Sequence, residues 1–228
     1  MATGARTATN TGTRRMPIDA RLLTLTQWLS PAYPIGSFAF SHGLEAACAD
    51  SLVTDAPGLE RWLSVLLKEG SGWTDAVLMS MAARGARAVS ELDALSGAYA
   101  ASRERRREAE RQGRAFALTT ARVWNLDLKA RFLPVVLGEA AFLLKLEAEA
   151  LIALYLQSFV TNLVGAAQRL MPLGQTDAQA ILAHLSPLCA DVAKRALHAD
   201  EGDVFSNGFG SDIAAMRHET MKTRVFQT

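Results

Sequence analysis

AAFLLKLEAEALIALYLQSFVTNLVGAAQRL, residues 140–170, is the most apolar stretch of the chain, and its reading decides the fold. A run of about 20 apolar residues can cross a bilayer as a helix. Here Lys145, Glu147 and Glu149 stand near the start, and Gln157, Asn162, Gln168 and Arg169 are scattered along the rest. Charges and amides so placed fit a buried central helix better than a membrane span. The bias extends outward to the whole chain, where Ala and Leu supply 71 of 228 residues and Val and Ile only 17. Unbranched and γ-branched side chains keep their rotamer freedom in helices, whereas β-branched ones favour strands. The expectation is an all-α protein, soluble and cytoplasmic.

The chain is 50% hydrophobic and 21% charged, too apolar for a mainly disordered polymer. Its length suits a single compact helical domain of about eight to ten helices with a detachable C-terminal tail. The expected division is a flexible N-terminal tail over 1–17, a helical body over 18–200, and a linker with a partner-binding tail over 201–228. The N-terminal residues also admit a transit-peptide reading, since they hold Arg and Thr but no acid. Asp55-Ala56-Pro57 reads as a helix start. Ser90 with Asp93, and Thr176 with Gln179, read as capping boxes. The helix opened at Ser90 is expected to run into the arginine-rich segment 103–114, with a further helix from about Phe116. Gly174 suits a left-handed turn, and Pro187 predicts a kink or break.

Little catalytic chemistry is legible. His42, His184, His198 and His218 are far apart in sequence, with no HxxxH or CxxC pair, so no metal site and no cofactor is expected. No phosphate-binding glycine loop is present, which argues against a GTPase or ATPase. Ser41 beside His42 invites a hydrolase reading, but neighbours on a helix point apart, and helix capping explains the serines. Cys48 and Cys189 read as separate buried thiols. The run Arg103, Arg105, Arg106, Arg107, Arg111 and Arg114 reads as a solvated helix face, with Glu104–Arg107 and Glu108–Arg111 as turn-spaced pairs. Nucleic-acid binding through 103–114 is the alternative, although the net charge is only +1 and no aromatics interleave.

Two features resist this reading. PAYPIGSFAF, residues 31–40, carries Tyr33, Phe38 and Phe40 on a proline- and glycine-rich loop. At the other end Ile213, Met216, Val225 and Phe226 follow a flexible-looking 200–211 segment. They have no long helix to bury them, so they dock either on their own domain or on a partner.

Three blocks resemble the UreF family of urease accessory proteins: SPAYPIGSFAFSHGLEAA at 30–47, TNLVGAAQRLMPLGQTDAQAIL at 161–182, and SDIAAMRHETMKTRVFQT at 211–228. The resemblance implies an all-helical, dimerising adaptor that is not itself an enzyme. Such an adaptor joins UreD (also called UreH) and the nickel-carrying GTPase UreG to deliver nickel to the urease apoenzyme, with a role in modulating the GTPase. The residues expected to bind partners are Phe38, Phe40, Met216, His218, Glu219, Arg224 and Phe226. Of these, the resemblance singles out Arg224 and Phe38 as supports of the tail's ordering on UreD. Phe40, Thr161, Val225 and Thr228 depart mildly from the family pattern, where Tyr, Ser, Leu and Ser are usual.

Overall fold

A computed structural model describes residues 19–227. The expected N-terminal tail over 1–17, with its transit-peptide reading, and Thr228 lie outside the described residues. Those described form ten α-helices and no strand. They are α1 (Ala20–Trp28), α2 (Leu44–Ala49), α3 (Ala56–Glu69), α4 (Ser71–Ala83), α5 (Val89–Ala98), α6 (Arg103–Trp124), α7 (Leu133–Leu144), α8 (Ala148–Leu170), α9 (Gln175–Ala196) and α10 (Phe209–His218).

The opening stretch splits at Lys145, a left-handed residue that ends α7. Glu147 then caps α8, its carboxylate accepting from the amides of Glu149 and Ala150. Helix α8 is long and apolar enough to cross a membrane, but more than half of its most apolar window is buried in the body. It packs on α9, α4, α2 and α1 as a core helix. The most enclosed element is α4, buried on nearly every side from Gly72 to Ala82. Helix α7 lies along it, and α3, α5, α8 and α9 complete the shell. Leu59, Leu63, Leu66 and Leu67 of α3 form the expected inward stripe, and Asp55 caps that helix by accepting from Gly58 N–H at 2.7 Å.

Several local expectations are corrected. The chain does not run from α5 into the arginine segment. Ser102 is extended, and its hydroxyl accepts from Arg105 N–H, starting a new helix. That helix continues unbroken to Trp124, so the arginine run is its first half and the helix expected from Phe116 is its second. Neither proposed capping box forms. Ala88 precedes α5, and Asp93 instead accepts from Phe132 N–H of the following loop at 2.8 Å. Gly174 is extended rather than left-handed and itself starts α9, which leaves Thr176 inside the helix, where its side chain cannot cap. Of the kink or break expected at Pro187, the break does not occur: α9 runs through the proline, and packing on α8 and α3 offsets the loss of one backbone donor.

The segment over 201–208, acidic and glycine-bearing like a linker, is tied to the body. Its carbonyls at Asp203, Val204 and Phe205 accept from Trp73 Nε1, Tyr99 Oη and Thr74 Oγ1 at 2.8–3.0 Å. Asn207 N–H donates to Glu69 C=O at 2.7 Å. These bonds deliver α10 onto α2 and α6.

Candidate functional site

The proline-rich loop ends with His42 and Gly43 both left-handed (φ 53° and 76°), which turns the chain sharply into α2. A Cβ on Gly43 would lie 2.5 Å from the Ala215 nitrogen of α10, so only glycine lets the two helices meet. Ser41 Oγ accepts from Glu45 N–H at 3.3 Å, but Gly43 and not the expected Ser41 occupies the cap position of α2, so the serine braces the first turn from two residues earlier. Glu45 lies in the first turn of α2, where the helix dipole favours an anion. Its carboxylate accepts from Val225 N–H at 2.7 Å and Phe226 N–H at 2.9 Å, with His218 Nε2 3.2 Å away. Burial alone would push the Glu45 carboxyl up, but these donors outweigh it and hold the group below its ordinary value.

His218, fully buried, reaches a second carboxylate with its other nitrogen, Nδ1 lying 2.6 Å from Glu104 of α6. Glu104 also accepts from Arg224 at 2.5 Å. Beside it, Glu219 takes the Arg103 amide and guanidinium at 2.7–3.0 Å, which together outweigh its desolvation and lower its pKa. At the far edge Gln227 N–H donates to Ala39 C=O at 2.9 Å, and Arg111 reaches the Gln227 side chain. Arg169, near the end of α8, lies 4.2 Å over the Phe226 ring and donates to Phe38 C=O at 3.0 Å. The tail is therefore docked on its own domain, across the loop, α2 and α6.

This arrangement sorts the expected partner residues. His218 and Phe226 are buried in the seat, and Phe40 is buried at the end of the loop. Arg224 and Glu219 are the tail's ion-pair links to α6. Phe38 and Met216 face outward, 67% and 53% exposed. Phe209, Ile213 and Met216, spaced four and three apart on α10, make an exposed apolar stripe.

The arginine run is not simply a solvated face. Arg105 turns inward, its side chain 12% exposed, and pairs with Glu108, while Arg106 pairs with Glu110, in place of the expected Glu104–Arg107 and Glu108–Arg111 pairs. Glu108 also lies 2.9 Å from His42 Nε2, and Arg105 and His42 outweigh its burial to hold it at about 2. Burial and Arg105 push the His42 pKa down against Glu108. Nearby, burial raises the Asp75 carboxyl to about 6 against the pull of Arg105 and of Tyr155, whose hydroxyl donates to it at 2.6 Å. The Tyr155 pKa is raised by burial and by Asp75.

Among the described residues no group of three or more His, Cys, Asp or Glu is placed to hold a metal. Both cysteines are free; Cys189 is buried as expected and its thiol is raised to about 12 by burial, whereas Cys48 is only half-buried, its thiol raised by partial burial and by Glu45. Reading the sequence missed Glu45, Glu104 and Arg169 as seat residues. Glu45 and Arg169 stand within the quoted motif blocks, which was the available signal. Glu104, one acid in a charged run, carried none.

The geometry defines a class: an all-helical body in which three separated sequence blocks converge on a docked C-terminal tail and leave an apolar face beside it. The UreF family model matches residues 53–186. The chain is 48% identical over 210 residues to the urease accessory protein UreF of Cereibacter sphaeroides, covering 91% of this chain and 98% of that protein. It is 45% identical over 210 residues to that of Paracoccus denitrificans (92% and 97% covered) and 44% over 215 to that of Ruegeria pomeroyi (93% and 99%). The chain belongs to the UreF family of urease accessory proteins.

Proposed function

We infer that this protein is a non-catalytic, cytoplasmic adaptor, acting as a homodimer, that bridges UreD (UreH) and the nickel-carrying GTPase UreG and modulates the latter. Nickel is the cargo of that assembly, destined for the urease apoenzyme. One observation carries the reading: the tail is seated beside outward-facing Phe38, Met216 and the α10 stripe. Exposed aromatic and aliphatic anchors rimmed by arginines are the composition of a protein-docking surface. The nucleic-acid alternative is less well supported, because Arg105 is spent on the core and Arg103 and Arg111 on the tail.

The test is capture of purified UreD and UreG by the wild type, by Arg224→Ala and by a chain ending at Met221. Helix α10 packs on α2, so truncation after it removes the last ties while sparing the body. Loss of UreD capture in both variants is expected; retention in both would overturn the reading. Nucleic-acid binding with steep salt dependence would favour the alternative.

A further inference from the structure

We propose that Glu45 and Arg169 are positioning residues that latch the Phe38 loop and the C-terminal tail into one partner-facing surface. The proposal rests on the docking function above and assigns the part of it that no exposed residue performs. Glu45 is buried at the start of α2 and fastens the tail from beneath through two successive backbone N–H groups. A carboxylate presents two oxygens to two donors, so it fixes the direction of the chain at Val225–Phe226 and not merely its proximity. Arg169 fastens the same point from the side. Its guanidinium covers the Phe226 ring and spends an N–H on the carbonyl of Phe38, whose own ring is left exposed. One planar cation thus spans both segments, which a lysine ammonium cannot do with the same geometry. The Gln227–Ala39 backbone bond closes the circuit one residue further on. Val225, 64% exposed, and Phe38 are held outward by residues that face inward or sideways, so the latch sets the spacing of two apolar anchors. Pre-ordering a segment this way raises affinity by removing its ordering cost from the binding step.

The full-length protein tests this with Glu45→Gln and Arg169→Lys. Glutamine keeps the shape and one acceptor oxygen but loses the second. Lysine keeps the charge at an exposed position, so the second variant folds even if the first does not. Hydrogen exchange at the Val225 and Phe226 amides is read in the free protein, and affinity for purified UreD is read separately. Loss of one hydrogen bond to a charged group predicts exchange about tenfold faster and UreD binding about tenfold weaker in each variant. The urea midpoint of Arg169→Lys should stay unchanged. Wild-type exchange rates in Arg169→Lys would overturn the latch, as would faster exchange with undiminished UreD affinity. If the wild type itself fails to bind UreD, the functional reading falls, and the exchange measurement alone decides whether the latch exists.

Discussion

His42 and Glu108, 66 positions apart, meet inside the protein with 2.9 Å between Nε2 and the carboxylate. Arg105, one turn before Glu108 on α6, completes a buried charged group at the root of the motif loop. The loop therefore enters α2 over a polar core, and its left-handed His42–Gly43 turn is held by charge as well as by packing.

Removing one member of such a group leaves an uncompensated buried charge. Glu108→Ala is expected to cost about 3–5 kcal/mol of unfolding free energy, and the Arg105→Met/Glu108→Leu double variant distinctly less. Urea denaturation of the three proteins checks the order; equal losses would contradict it.

Two carboxyls of this group give opposite pH dependences. Glu108 is lowered from 4.5 to about 2, so its stabilisation is full above 4.5 and is lost as pH falls toward 2. Asp75 is raised from 3.8 to about 6, so the native state favours its protonated form and its contribution declines as pH rises through that interval. The stability of Asp75→Asn relative to wild type should therefore climb between pH 4 and 6 and level off above. Calorimetric scans across that range would show a flat difference if Asp75 were not so perturbed.

Glu45 makes tail docking pH-dependent in the first sense. Its lowered pKa means that the docked tail is favoured above 4.5 and released as pH falls through the folded value. Proteolysis by pepsin at graded acid pH should clip the last residues before the body, and Glu45→Gln should weaken that pH dependence, leaving the part that Glu219 contributes through Arg103.

Glycine positions supply a test of the packing. A Cβ at Gly113 of α6 would lie 1.9 Å from Arg131 C=O, so Gly113→Ala should destabilise by about 3 kcal/mol, at the upper end of overpacking. Gly165 in α8 has nothing within 4 Å, and Gly165→Ala should add roughly 0.5–1 kcal/mol by the helix propensity of alanine. Thermal melts should move in opposite directions.

The two loop phenylalanines should separate stability from binding. Phe40, 6% exposed, should cost about 3 kcal/mol on truncation to Ala. Phe38, 67% exposed, should cost no more than about 0.5 kcal/mol yet weaken UreD binding. Melting temperature and UreD affinity, measured on both variants, would expose a reversal.

Composition and periodicity alone determined the helical class, the leucine stripe of α3, the Asp55 cap and the burial of α8, because each depends on neighbours within a few turns. The three motif blocks, read as sequence, also marked the segments that meet at the tail's seat. They could not show that Glu45 seats the tail, that Arg169 spans Phe226 and Phe38, or that Arg105 leaves its exposed-looking run for the core. Such contacts join residues more than 50 positions apart, or depend on which face of a helix meets a neighbour. Burial then decides whether a charge is solvated or becomes a structural tie. Only the folded chain, by bringing α2, α6, α8 and the tail to one place, makes that choice.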